Sequence, residues 1–212
     1  SSRPSFMDDS NPAEGSPPQD TPTNQDDTNS KNGNKKDKKK IRSGKQLIAK
    51  MIKCHAHRKY GEHLMNYRYQ DVVRVLIIVK EVLKEEPMMV TCPLPCVIVG
   101  DLHGQFPDLI RVFQLFSEGE SIGYHKQRYV FLGDYVDRGE QSMETIIMLF
   151  LLKIRFRKLF FLLRGNHECK AINRVYGFQA ELTERFTQEE ATYLFHMFNE
   201  AFTYMPLVCI VG

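Results

Sequence analysis

Three short segments of this 212-residue sequence end in side chains that could bind a metal ion or a phosphate group. The first spans Val97 to Gly104, the second Arg128 to Gly139 and the third 160–168. Each begins with an apolar run typical of a buried strand and then changes to glycine and to charged or amide side chains. Charged groups at the end of a buried strand usually need a ligand, a metal ion or one another. The segments therefore predict a functional site.

The candidate metal ligands are two carboxylates, an imidazole and an amide oxygen, from Asp101, His103, Asp134 and Asn166. This mixture suits divalent cations of hard or borderline character, and leaves Mn, Fe, Zn and Mg open. Asp101 and His103 are two residues apart, so both can face one ion where the strand ends. Asp134 could bridge to a second ion, and two ions about 4 Å apart can hold a hydroxide between them and bind a phosphoryl oxygen.

Three further side chains of these segments suit phosphate chemistry: Asp137, Arg138 and His167. The planar guanidinium of Arg138 can bind phosphate through two hydrogen bonds. His167 directly follows a candidate ligand and could donate a proton to a leaving alkoxide. Asp137 could orient the His167 ring and favour its protonated form. One such segment alone would suit an ordinary turn or ion pair, but three at nearly equal spacing favour a catalytic site.

Helical patterns alternate with the predicted strands. Apolar spacing predicts helices over 107–116 and 142–156 and from residue 172, and a further strand over 207–211. Alternating strands and helices predict an α/β fold with a largely parallel sheet, in which the carboxyl ends of the strands share one edge. Residues 91–95, which include two prolines, are interpreted as a connector into the first strand.

Residues 1–42 are rich in Ser, Asn, Asp, Pro, Gly and Lys and contain few large apolar residues. Such a segment cannot bury enough surface to offset its chain entropy, so we expect a disordered polar tail, first acidic and then basic. Residues 43–212 should form the folded domain. The basic stretch from Lys35 to Arg42 is either a nuclear-localisation signal or a solvated linker. We therefore expect a cytoplasmic or nuclear protein.

Neither a membrane span nor a disulfide framework is predicted. The most apolar region, 146–163, contains lysines and arginines, which argue against a membrane helix of about 20 residues. The five cysteines have no secretory context and are interpreted as free thiols in a reducing compartment. The spacing of Cys92 and Cys96 could suit zinc, but no second ligand pair accompanies them at a typical spacing.

From about residue 41 onward, the sequence resembles the metal-dependent serine/threonine protein phosphatases. Three segments match the N-terminal signatures of that family: Gly-Asp-Leu-His-Gly (100–104), Gly-Asp-Tyr-Val-Asp-Arg-Gly (133–139) and Arg-Gly-Asn-His-Glu (164–168). The surrounding stretches are most similar to the type 1 phosphatases: 137–145, 161–169 and 172–178.

The resemblance implies two divalent metal ions, which would be Mn, Fe or Zn. Asp101, His103 and Asp134 would hold the first ion. Asp134 and Asn166 would contribute to the second, with Asp134 bridging the two. The family completes the second site with two later histidines, for which this sequence contains no matching motif. We therefore expect residues 43–212 to be the N-terminal part of a longer catalytic domain, and their activity alone stays open.

The resemblance also implies hydrolysis of phosphoserine and phosphothreonine by a hydroxide activated between two metals. Arg138 would bind the substrate phosphate, and His167, paired with Asp137, would be the general acid. The family fold is a β-sandwich with flanking helices, of which this sequence would contain the N-terminal βαβαβ half and further helices. The expected partners are phosphoprotein substrates and regulatory subunits, without a membrane or direct contact with nucleic acid.

Two other functions stay open at this point. The chain could be an inactive, phosphatase-like protein that binds or regulates partners. A metallophosphoesterase that acts on nucleotides is less favoured, because the helical patterns over 44–86 and the stretches similar to type 1 phosphatases argue against it.

Overall fold

The computed structural model of the protein describes residues 44–57, 64–117 and 123–212. Its helices and strands are, in chain order: α1 (44–56), α2 (Tyr69–Lys84), β1 (Met89–Cys92), β2 (Val97–Val99), α3 (Phe106–Gln114), β3 (Tyr129–Phe131), α4 (Ser142–Arg155), β4 (Phe160–Leu162), α5 (Lys170–Asn173), α6 (Phe178–Arg185), α7 (Gln188–Thr203) and β5 (Val208–Val211). A short 3-10 helix, Gly123–His125, precedes β3. The predicted polar tail, 1–42, lies outside the described residues, so its disorder and its boundary with the folded domain stay predictions.

The described strands form two parallel sheets. In the first, β3 lies between β2 and β4, with Tyr129 opposite both Val97 and Phe160. In the second, β1 pairs with β5, with Val90 opposite Cys209. Because β2, β3 and β4 are parallel and in register, the three candidate segments leave their sheet at one edge, as the sequence predicts.

The interpretation of residues 91–95 as a connector is wrong in part, because Met89–Cys92 forms strand β1. The alternation in this strand buries Val90 and Cys92 and exposes Met89 and Thr91. β1 pairs with β5, which is distant in the sequence, and no local pattern announces that pairing. The two prolines that follow mark the end of the strand rather than a whole connector.

The two faces of the β2–β3–β4 sheet pack against different layers. On one face, Tyr129 and Phe131 belong to the main core, which is shared with helices α2, α3, α4, α6 and α7. On the other face, Val130 packs with Val90 and Cys92 of β1. The layers are therefore helices, a three-stranded sheet and a two-stranded sheet. This order agrees with the predicted α/β fold and with the sandwich that the resemblance implies.

Helix α4 lies at the centre of the core, and every residue from Ser142 to Lys153 is buried. The Lys153 ammonium donates hydrogen bonds to the Glu86 carboxylate and to the Phe160 carbonyl. Burial lowers the pKa of Lys153, and the nearby Glu86 carboxylate partly opposes this decrease. The prediction of a core helix followed by a core strand is therefore correct for 146–163.

None of the helices that the structure describes combines the length and the apolar character that a membrane span requires.

A buried polar cluster fixes the N-terminus of α4. Glu181 of α6 accepts hydrogen bonds from the backbone N–H groups of Ser142 and Met143, at 3.0 and 3.1 Å. Arg185, one turn later, pairs with Glu181 and with Glu144, each at 2.7 Å. Because α4 has no side-chain cap at its own N-cap residue, Glu181 supplies the acceptors that the first helical N–H groups need. Burial raises the pKa of Glu181 to about 7. The hydrogen bond from the Met143 N–H group and the charge of Arg185 both lower this pKa, but burial has the larger effect.

Glu181 should make the stability of the folded chain depend on pH. Its pKa is raised from 4.5 to about 7 on folding, so between these values the folded state retains a proton that the unfolded state has lost. The free energy of unfolding should therefore decrease as pH rises through this window. The decrease should be smaller in Glu181→Gln, where Glu168, with a pKa also raised to about 7, still contributes. Urea unfolding of both proteins at several pH values measures the slopes, and equal slopes would exclude Glu181 as a source.

Candidate active site

Backbone hydrogen bonds join the first candidate segment to the second. The N–H groups of Leu102 and His103 both donate to the Asp134 carbonyl, at 3.0 and 2.9 Å. The His103 ring is fixed by its Nδ1–H, which donates to the Val136 carbonyl at 3.0 Å and leaves Nε2 free. His103 Nε2 lies 3.9 Å from a carboxylate oxygen of Asp101 and 3.9 Å from one of Asp134. The three predicted ligands of the first metal are therefore together.

The Glu168 carboxylate joins the second segment to the third. It accepts backbone N–H bonds from Asp134 at 2.8 Å, Tyr135 at 2.9 Å and Gly165 at 3.0 Å. Burial raises the pKa of Glu168 to about 7, while these N–H groups oppose the increase. Sequence reasoning did not include Glu168 among the site residues. The available signal was its position directly after His167, at the end of a predicted strand.

Two glycines allow the segments to approach this closely. A Cβ atom at Gly133, where φ is 114°, would lie 2.3 Å from the Gly165 nitrogen. A Cβ atom at Gly139 would lie 2.1 Å from the His103 carbonyl oxygen. Any side chain at either position would therefore push apart the backbone that holds the candidate ligands.

Backbone strain is concentrated in the site. Four residues other than glycine have positive φ: His103 (41°), Asp134 (53°), Asp137 (74°) and Arg138 (68°). Among the described residues, no other non-glycine residue adopts this conformation. Each such residue costs on the order of 1–3 kcal/mol, and a fold retains it only where the surrounding structure enforces it. All four are candidate site residues that the sequence predicts.

The donor atoms at this edge fit a divalent cation. Ligand atoms of His103, Asp134 and His167 all lie within 4.8 Å of one another. The Asn166 amide also lies against the Asp134 carboxylate, and with its nitrogen toward Asp134 it donates to the two carboxylate oxygens at 3.0 and 3.2 Å. An imidazole nitrogen and carboxylate oxygens this close together, with an amide beside them, form a donor set that suits a divalent cation of hard or borderline character.

Asp137 and His167 form a buried pair beside the candidate ligands. The Nδ1 atom of His167 lies 2.7 Å from one carboxylate oxygen of Asp137. The other oxygen accepts the Phe178 backbone N–H at 2.9 Å, which fixes the carboxylate from a second side. The His167 Nε2 atom then faces the Arg138 guanidinium at 3.4 Å. The predicted acid, its partner and the predicted phosphate-binding group are therefore in contact.

Comparisons with known proteins agree with this geometry. Residues 94–212 match the family described as calcineurin-like phosphoesterase. The chain is 40% identical over 143 residues to "Serine/threonine-protein phosphatase PP1-delta" of Caenorhabditis elegans, which is 68% of this chain and 44% of that protein. It is also similar to the solved structure of a serine/threonine phosphatase from Saccharomyces cerevisiae with similarity to human phosphatase PP5. That match has a TM-score of 0.60 and 33% identity, and covers 69% of this chain and 46% of the other.

This chain thus spans less than half the length of either relative. The family match nevertheless covers more than half of this chain and includes all three candidate segments. The family and the fold predicted from the sequence are both confirmed. The chain belongs to the calcineurin-like phosphoesterase family, and the two relatives to which it is similar are serine/threonine phosphatases by name.

Proposed function

We propose that this protein hydrolyses phosphoserine and phosphothreonine in other proteins. The observation that supports this most strongly is the buried Asp137–His167 pair beside Arg138, at the edge where the candidate metal ligands converge. Membership of the family supports the same activity, because both relatives named above are serine/threonine phosphatases by name.

Phosphatases of this family use two divalent metal ions. Asp101, His103 and Asp134 would hold one ion, and Asp134 and Asn166 would contribute to the other. Such ions supply positive charge to the phosphoryl oxygens and activate water as a nucleophile. Carboxylate, imidazole and amide ligands suit Mn, Fe and Zn alike, so we propose these three as the candidate metals.

The remaining side chains would bind the substrate and move one proton. Arg138 is exposed, and its guanidinium would bind two oxygens of the phosphate. His167 would donate the proton on Nε2 to the seryl or threonyl oxygen as the ester bond breaks. Asp137 would hold the ring through Nδ1–H, so that Nε2 stays directed toward the phosphate.

The openness of the site supports a protein substrate. The Asp101 side chain is 65% exposed, and Asn166 and Arg138 are exposed as well. A phosphate on the surface of a folded protein or on an extended segment can reach such a site without entering a deep cavity. We propose phosphoproteins as substrates, with regulatory subunits as partners that direct the choice among them.

Replacing Asp134 by Asn should weaken metal binding and hydrolysis together. The substitution removes the charge of the proposed bridging ligand, and we expect Mn²⁺ affinity to fall by about tenfold or more. Isothermal titration with Mn²⁺ measures the affinity and the stoichiometry. Asp108→Asn is the matched control, because Asp108 is an exposed carboxylate paired with Arg111. Unchanged binding in Asp134→Asn would contradict the bridging role.

Replacing His167 by Asn should slow hydrolysis of a phosphoserine peptide by roughly 10²- to 10⁴-fold, the usual contribution of a general acid. An activated aryl phosphate should be affected much less, because its leaving group departs without a proton. The exposed histidine of α7 provides a control, His196→Asn, that should change neither rate. Both substrates are assayed on the active phosphatase with metal supplied, and equal losses on the two would argue against the acid role.

The cellular location is proposed from sequence alone. The basic stretch 35–42 supports a cytoplasmic or nuclear protein. A fluorescent reporter fused to residues 31–45 should accumulate in the nucleus if this stretch is a localisation signal, and the same fusion with its lysines and arginines replaced by alanine should not. An even distribution of both fusions would favour a solvated linker.

A further inference from the structure

Three of the five cysteines pack together in the layer between the two sheets. Cys92 is buried in β1, on the same strand face as Val90. Val90 is opposite Cys209 of β5, so the side chains of Cys92 and Cys209 point to the same side of their sheet. Cys96, which directly precedes β2, packs on the same apolar cluster. The sequence showed only the Cys92–Cys96 spacing, and the fold adds Cys209.

These thiols are in apolar surroundings and have weak hydrogen bonds. The Cys92 thiol donates to the Pro93 carbonyl and the Cys209 thiol to the Ile210 carbonyl, both at a long 3.6 Å. Burial, followed by the neighbouring thiols of Cys96 and Cys209, raises the pKa of Cys92 to about 11. The layer therefore favours neutral sulfur over thiolate.

This preference favours a disulfide over a metal site. A metal ion would need deprotonated sulfur ligands, which the apolar layer disfavours, whereas a disulfide bond carries no charge. Among the described residues, the group of side chains placed to hold a metal ion is His103, Asp134 and His167, and it contains no cysteine.

We propose that Cys92 and Cys96 form a redox-active dithiol site, which a small-molecule disulfide such as oxidised glutathione converts to an intramolecular disulfide bond. Cys92 ends a strand of one sheet and Cys96 precedes a strand of the other. The bond would therefore join the two sheets covalently, at the start of the strand that leads to Asp101.

The exchange begins at Cys96, because Cys96 is partly exposed whereas Cys92 has no exposed surface. The Cys96 thiolate attacks one sulfur of the small disulfide, which forms a mixed disulfide and releases one thiolate. Cys92 then loses its proton and attacks the Cys96 sulfur, which releases the second small thiol. Two electrons pass from the protein to the small disulfide. Arg128, which acts to lower the pKa of Cys92, favours the transient thiolate.

Peptide mapping tests this site independently of phosphatase activity. The folded chain is incubated with oxidised glutathione, its remaining thiols are alkylated, and it is digested with trypsin. Cys92 and Cys96 fall in one tryptic peptide, 85–111, and Cys209 falls in another, 186–212. We expect peptide 85–111 to lose two hydrogen atoms and to escape alkylation, and dithiothreitol to reverse the change. Cys54 and Cys169, in separate peptides, should remain open to alkylation or carry glutathione singly.

Two substitutions give matched controls. Cys96→Ser should abolish the bond and leave Cys92 as a free thiol, while Cys209→Ala should leave the bond intact. Three results would overturn the proposal: glutathione retained on Cys96 without bond formation, a cross-link between peptides 85–111 and 186–212, or no change in 85–111 while Cys54 is oxidised. The wild-type map decides among these results even if a variant fails to fold.

Discussion

The site depends on the buried carboxylate of Glu168, which accepts three backbone N–H groups from two different segments. These bonds hold the backbone of Asp134 against the turn at Gly165, where a Cβ atom on Gly133 would not fit. The carbonyl of Asp134 in turn anchors the backbone of His103. Each candidate ligand is therefore positioned by backbone contacts between strand ends, and its side chain remains available for a metal or a substrate.

Helix α6 also supports the site. Its first N–H group, at Phe178, holds the Asp137 carboxylate, and Glu181 one turn later holds the first N–H groups of α4. One short helix thus positions the partner of the proposed acid and the start of the central helix. The positive φ of Asp137 is costly in isolation, and such contacts from both sides are what allow the fold to retain it.

The layer between the sheets serves a different purpose from the edge that forms the site. It is apolar, and it brings Cys92 and Cys96 next to Cys209, which lies near the other end of the folded region. The site edge gathers charged groups that a metal or a phosphate can neutralise, whereas the layer favours neutral sulfur. The same strand, β2, connects the two, since it starts after Cys96 and leads to Asp101.

The sequence alone predicted the strands with which the three segments begin and the central helix. It also predicted which residues are candidates for the site, and the family. These features depend on local patterns: apolar runs, glycine beside charged residues, and short signatures. Strand β1, the bridging role of Glu168 and the meeting of Cys209 with Cys92 could not be predicted. Each of these depends on a contact between residues distant in the chain, and pairing of that kind leaves no periodic trace in the local sequence. Only the tertiary structure decided them, because it alone specifies which buried groups become neighbours.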